Sequence, residues 1–598
     1  MNKGLALCDF YVYIIRKFSF RQNLILILIE PKQIKGIRYM KKKWWYAGAV
    51  LLTASLLTAC GNNENKDAAE SSKSSKDSNL ADEQVLNLVE IAELPTGDTA
   101  LATDTVSFTV FNQVNEGLYR LDKDSQPIPA LASQEATVSD DGLEYSFKLQ
   151  KDAKWSNGDP VTAQDFVYAW QRIVDPDTAA PYSYLFDGIK NAAAIMEGKG
   201  DKETLGVEAV GDNEFKVTME KPVPYFISLM AFPTFFPQNQ EFVEEQASKY
   251  GTSAETMIFN GPFTFSEWDG TNLNWSYDKN EDYWDAENVI LDKINVEVIK
   301  ETSTALNLYD SGELDRVNLT GEFAKQFQDN EDYVIETEAR SSYLQFNQEK
   351  EGGKTPLANE NLRKAIATSY DQDLLANEIL ANGSQVLGGL VPAELASNPN
   401  TKKDFRKESG DYLSYDKEAA LENWKKAKAE LGIDSVELEL LGDDDESNKK
   451  IAAYMKDQIE TSLPGVKIKV KNVPFKVRLE LQTKQNYDFA LGGWGADFAD
   501  PVNFIDLLTT ESPYNRSSYS NAEFDKLVEL SKGENATDVD ARWKNLLDAE
   551  KILLDEAGVA PLFQRAAATL QKTYVKDIYN HQVGAKYTYK NAYIEAHE

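Results

Sequence analysis

Residues able to act as nucleophiles or acid–base catalysts are scarce in this 598-residue chain. It has two cysteines, Cys8 and Cys60, and two histidines, His581 and His597, both near the C-terminus. No Gly-x-Ser-x-Gly elbow, His-Glu-x-x-His helix or phosphate-cradling loop before Lys-Ser/Thr occurs, so most hydrolase and metal-enzyme mechanisms lack their residues. Carboxylates are abundant, with 97 Asp and Glu, and residue types alone leave a paired-carboxylate glycosidase open. The quartet Asp443-Asp444-Asp445-Glu446 has donors for Ca²⁺ but lacks the glycine and later Glu of a calcium loop. It reads as a solvated loop ahead of a helix at Lys449. Aromatic rings set in Gly-, Pro- and Asn-rich loops, Asn260-Gly261-Pro262-Phe263 and Gly492-Gly493-Trp494-Gly495-Ala496-Asp497, are harder to assign to packing.

Cys60 ends the run Leu57-Thr58-Ala59-Cys60, after the basic cluster Lys41-Lys42-Lys43 and an apolar stretch from Trp44 to Ala59. Charged start, apolar middle and small residues at the cut make 40–59 a secretory signal peptide. The cysteine after the cut resembles a bacterial lipobox, whose thiol takes a diacylglycerol and whose new N-terminus carries a further (palmitate-type) acyl chain. An uncleaved anchor is the alternative, although about 16 apolar residues fall short of the ~20 that a spanning helix needs. Residues 1–39 have no clear processing logic, and we read them as an extension upstream of a start at Met40. From Gly61 to about Asn79 the chain is polar, a disordered tether that places the body (60–84 with the lipidated cysteine) off the membrane surface.

Composition narrows the partners. Residues 1–60 hold both cysteines, ten of the 63 Lys/Arg and two of the 97 Asp/Glu, so the remainder has no disulfide and a net charge of −42. Such acidity argues against nucleic acid and keeps a tethered protein soluble. An exported chain without disulfides needs a large core, and this length suffices for several domains.

The elements are mixed. Strands are expected at Val85–Ile91, Glu144–Lys148, Phe215–Met219, Ile294–Ile299, Val436–Leu440 and Val466–Val470. Helices are expected at Asn361–Tyr370, Lys417–Leu431, Lys449–Leu463, Ala522–Ser531 and Ala541–Asp555. Another should start at an N-cap Thr162, present Phe166, Val167, Trp170, Ile173 and Val174 on one face, and stop at Asp175-Pro176. The pattern is that of a multi-domain α/β protein without internal repeats.

Three segments together carry a resemblance: Asn115-Glu116-Gly117-Leu118-Tyr119, the run from Lys154 through Asn157-Gly158-Asp159-Pro160 to Tyr168, and Gly493-Trp494-Gly495-Ala496-Asp497. With Asn280–Asp285 and Ser311–Asp315 they resemble the extracellular oligopeptide-binding lipoproteins of ABC importers, solute-binding protein family 5, from about residue 85 to the end. The resemblance implies a three-domain clamshell of the periplasmic-binding-protein type, whose two lobes close over the ligand about a hinge. Its largest lobe would be discontinuous: 85–118, about 241–285 and about 565–598 form the core of lobe one, 119–240 a second domain beside it, and about 286–564 the second lobe. It implies no catalysis and no cofactor or metal. The partners would be an oligopeptide, an ABC permease with its ATPases, and the membrane through the lipid anchor. The protein would be a monomer on the outer face of the cell membrane, in a Gram-positive host.

By the same resemblance Asp497 receives the peptide's α-ammonium, Trp494 faces the ligand, Gly493 and Gly495 let two backbones approach, and Ala496 is a further peptide-binding position. Tyr182 is a pocket tyrosine, Thr103, Asp104 and Thr105 form a strand that pairs with the ligand, and Asn260 is a further candidate. Where relatives for short peptides carry basic side chains, this chain has Gln482 and Leu491, with Lys484 nearby, and Arg565 replaces an expected aromatic. The peptide's C-terminus is therefore expected to be free and longer peptides accepted. A peptide signal receptor and a receptor for a non-peptide solute are the alternatives.

Overall fold

The structure is a computed structural model that describes residues 79–597; the signal segment, Cys60 and most of the tether lie outside it. Among the described residues no helix is long and apolar enough to cross a membrane.

Three principal sheets organise the body. The first runs in the order Val85–Glu90, Lys293–Val298, Asn274–Lys279, Phe263–Ser266, with its first pair parallel and the others antiparallel. The second is the antiparallel set Thr137–Val138, Glu144–Lys148, Glu214–Thr218, Val207–Ala209. The third follows the path Arg316–Leu319, Val559–Gln571, Tyr333–Phe346, Phe489–Gly495, Val436–Asp443, Val466–Val473, with Gln385–Val386 as a side partner.

These pairings locate the chain's crossings between lobes. Lys293–Val298 pairs with Val85–Glu90, so the first sheet takes in the chain as far as residue 298, where the first crossing begins. Val559–Gln571 pairs within the third sheet, which takes in the chain as far as residue 571. The C-terminal segment then rejoins the first lobe, where Gln84 donates to and accepts from the backbone of Ile594. This is a two-lobed, multi-domain clamshell with a discontinuous first lobe.

Local sequence explains the elements that support the cleft. In the helix Ala163–Val174 the Asp165 carboxylate accepts the Thr162 backbone N–H at 2.7 Å, which fixes the first turn. Phe166, Trp170, Ile173 and Val174 are buried, and the Trp170 indole donates to the Phe235 carbonyl at 3.0 Å. Lys417–Leu431 has the expected bounds and ends on Gly432, whose φ of 68° suits the left-handed cap.

Two local expectations fail for tertiary reasons. Thr103, Asp104 and Thr105 form no strand: Asp104 caps the helix Thr105–Val114, accepting the Ser107 N–H and Oγ–H, each at 2.8 Å. The resemblance implied a strand here, but the helix that Asp104 starts is buried nearly all round. Nor is 443–446 a solvated loop. Asp444 meets Lys300 at 2.7 Å, Asp445 caps the helix Glu446–Ser462, and Glu446 accepts the Thr302 N–H at 3.0 Å. The quartet joins the first crossing to the third sheet, and no metal-ligating cluster occurs among the described residues.

Candidate functional site: an open strand edge beside a buried carboxylate

Phe489–Gly495 pairs on one side with Tyr333–Phe346 over its whole length, from Phe346↔Phe489 to Arg340↔Gly495. On the other side Val436–Asp443 reaches only Phe489 and Ala490. Among the described residues, the second edge of Leu491–Gly495 therefore has no strand partner. Across the cleft Val85–Glu90 is an end strand whose outer edge is met by Asp315 at Asn87. Val89, Glu90, Ile91 and Gly492, Gly493 border one cavity of about 270 Å³. Unpaired backbone groups on a strand edge recruit another extended chain.

Two residues beyond the end of this strand stands Asp497, which is only 6 % exposed. Its Oδ1 accepts the Tyr182 hydroxyl at 3.2 Å from the other lobe, and its Oδ2 accepts the Asn503 amide at 3.0 Å. Asn503 Oδ1 in turn takes the Asp497 backbone N–H at 2.9 Å and the Trp494 indole N–H at 3.2 Å, so one side chain orients both. The rings of Tyr182, Trp494 and Tyr514 pack at centroid distances of 4.7–6.2 Å around the carboxylate. Burial pushes the Asp497 carboxyl up to about 7, against the pull of Asn503, Tyr182 and Arg340. A buried acid enclosed by rings is complementary in charge to a small cation. Tyr182→Phe should weaken binding of an amine-bearing ligand about five- to tenfold by calorimetry, the loss of one hydrogen bond to a charged group. An unchanged affinity would place Tyr182 outside the site.

Asp497, Trp494, Gly493, Gly495, Tyr182, Thr103, Asp104 and Thr105 all border a second cavity of about 90 Å³ that adjoins the larger one. The first glycines matter for approach: a Cβ on Gly493 would stand 3.0 Å from the Ser341 carbonyl, and one on Gly495 3.0 Å from Arg340 Nη2. Ala496 and Asn260 lie outside both cavities. Ala496 bridges the lobes through its carbonyl, which accepts the Gly584 N–H at 2.7 Å. Asn260 accepts the Glu116 N–H at 3.0 Å and donates to the Glu116 carbonyl at 3.1 Å, closing a buried turn. Glu116 also accepts Tyr283 Oη–H and Trp284 Nε1–H, each at 2.6 Å. Three of the motifs thus meet in one structural knot away from the ligand cleft.

Sequence reasoning missed several groups. Arg340 and Tyr343 on Tyr333–Phe346, Arg478 on the helix Phe475–Thr483, Asn503 on the one-turn helix Val502–Ile505 and Arg516 on a loop come from four separate places, and no local spacing announces them. Lys484 pairs with Glu480 on an exposed helix face, while Gln482 is buried and donates to Gln345 at 2.7 Å. Arg565 does border the larger cavity, where it shares Glu338 with Lys586 and Arg340. Burial opposes ionisation of Glu338, but these three cations outweigh it and hold its carboxyl down at about 2.

A cleft between two lobes, with an open strand edge beside a buried carboxylate, is the architecture of an extracytoplasmic solute-binding protein. The chain belongs to the bacterial extracellular solute-binding proteins, family 5: the description "family 5 Middle" matches residues 126–516. It is similar to a dipeptide-binding protein of Lactococcus lactis, 33 % identical over 91 % of this chain and 98 % of that one. Among solved structures, the peptide-bound oligopeptide-binding protein OppA of Listeria monocytogenes superposes with a TM-score of 0.84 at 46 % identity, over 86 % of this chain and 99 % of that one. The pheromone receptor PrgZ superposes at 0.82 with 39 % identity, over 86 % and 100 %.

Proposed function

We propose that this protein captures oligopeptides outside the cell and passes them to an ABC permease for import. The observation that carries this reading is the unpaired edge Leu491–Gly495 running directly into buried Asp497. A peptide laid on that edge forms main-chain hydrogen bonds that any sequence can make, and its α-ammonium meets the carboxylate. The amine's charge offsets the cost of burying Asp497, so closure of the lobes is favoured by ligand. The larger cavity continues past Val89–Glu93 and receives residues beyond the first few, in keeping with longer peptides. The likeness to the dipeptide-binding protein of Lactococcus and to the peptide-bound OppA of Listeria supports the same ligand class.

The protein binds and releases without catalysis. His581 lies outside both cavities, contacts Thr588 at 2.8 Å, and is held near 4 by burial, while His597 stacks on Tyr574. Anchoring through lipidated Cys60 would raise its concentration at the permease and its ATPases, and a monomer on the outer face of a Gram-positive membrane fits the acidic, disulfide-free body. The test is mass spectrometry of ligand released on denaturing protein purified from cells. A ladder of mixed peptides is expected. One dominant peptide would favour the signal-receptor reading that the likeness to PrgZ keeps in view, and a non-peptide solute would end the peptide reading.

A further inference from the structure

The smaller cavity is cationic opposite Asp497, in a chain whose net charge is −34. Arg340, Arg478 and Arg516 all border it. Arg340 stands on Tyr333–Phe346 opposite Gly495, Arg478 on the helix Phe475–Thr483, and Arg516 on the loop after Tyr514. Their protein partners leave positive charge uncompensated. Arg478 donates through Nε to Asp443 at 2.6 Å and through Nη1 to Gln482. Arg340 approaches Glu338 only to 3.6 Å, and Glu338 is already shared with Arg565 at 3.5 Å and Lys586 at 2.6 Å.

Arg516 makes no ion pair among the described residues, and its buried Nε has no hydrogen-bond partner; the guanidinium sits 5.4 Å from the Tyr514 ring centre. Burial holds both Arg340 and Arg516 below their ordinary range, with Arg565 and Arg478 repelling the first and Arg478 the second. The nearby carboxyls are committed elsewhere, Asp104 to its helix cap and Asp497 to Tyr182 and Asn503. Arg478 has its anion in Asp443 and Arg340 only a distant, shared one, while among the described residues no carboxylate reaches Arg516.

We propose that this arginine triad receives a carboxylate side chain at the second or third residue of the bound peptide. The inference rests on the peptide-binding reading. With the amine at Asp497 and the peptide extended along Gly495 toward Leu491, each residue advances about 3.3 Å. Residues two and three then lie beside Gly493 and Gly492, which border the same cavity as the triad. Side chains alternate across a strand, so one of the two positions faces the arginines and the other does not. Arg–carboxylate pairing is planar and bidentate, which gives selectivity over the isosteric amide. The terminal carboxylate of a dipeptide or tripeptide offers the same group at similar depth, and amidated pentapeptides remove it.

Calorimetry on the purified full chain, freed of endogenous ligand, would compare Ala-Glu-Ala-Ala-Ala-amide and Ala-Ala-Glu-Ala-Ala-amide with their Gln counterparts. The expected result is a Glu preference of about tenfold or more at one of the two positions. Arg516→Gln should narrow that ratio to under about threefold, and Arg340→Gln should do the same, so a folding defect in one variant would not decide the matter. Equal Glu and Gln affinities at both positions, with the peptides still binding, would overturn the inference alone. A preference confined to trialanine acid over trialanine amide would assign the triad to the chain terminus and also overturn it. Failure of every peptide to bind would instead bring down the peptide reading itself.

Discussion

Asp497→Asn is expected to weaken peptide binding by roughly 30- to 1,000-fold, the cost of about 2–4 kcal/mol for losing one partner of an enclosed charge pair. The carboxylate is buried, held from both lobes and placed where the open strand edge ends. Acetylating the peptide's amine should cost a similar factor in the native protein and little further in the variant, because both changes delete the same pair. Additive losses would show that the amine binds elsewhere.

The same residue sets a pH dependence. With Tyr182 and Asn503 enclosing it, the Asp497 carboxyl is raised from 3.8 to about 7 by burial. A carboxyl raised in this way favours the closed empty form fully below 3.8, and that contribution is lost as pH rises through about 7. The closed fraction without peptide should therefore be larger at pH 5 than at pH 8, as read by energy transfer between labels on the two lobes. Asp497→Asn should flatten this response. An identical closed fraction at both pH values in the native protein would contradict the assignment.

The second large effect is on stability. Glu550 is fully buried on the helix Val539–Asp555. It pairs with Arg406 at 2.8 and 2.9 Å, accepts the Leu390 and Val391 N–H groups at 2.9 and 2.8 Å, and accepts Ser409 Oγ–H at 2.5 Å. This network ties the segment around 387–411 to the second lobe, and Leu390 in turn accepts the Ser341 hydroxyl at 2.6 Å beside the Trp494 strand. Glu550→Ala strands a buried guanidinium and two backbone donors together, so it should destabilise the protein by about 3–5 kcal/mol. The urea midpoint should fall clearly, and the unfolding transition should broaden if the second lobe melts first. An unchanged midpoint would mean that water replaces the carboxylate, which this enclosure does not favour.

Much of the architecture is legible because its determinants are local. Glu144–Lys148 and Lys417–Leu431 have the expected bounds, since alternation, a capping Asp416 and a closing Gly432 act within a few residues. Asp497 and Trp494 could be picked out from one short Gly-rich run. The strand expected at 103–105 became a helix start because Asp104 found Ser107 and the helix found burial on nearly every side, neither of which the resemblance implied.

Other parts of the site belong to tertiary structure alone. Asn260 and Glu116, 144 residues apart, are joined by the fold into a knot that looked like a ligand motif. Arg340, Arg478 and Arg516 converge only because the second lobe's sheet places Tyr333–Phe346 against Phe489–Gly495 and packs a helix and a loop beside them. By itself the sequence determined most of the elements, the family and the carboxylate that we propose for the amine, all written in short-range spacing. Which charges face the ligand was decided by strand pairing and lobe closure, because hydrogen bonds between distant strands, not neighbours along the chain, set where those side chains meet.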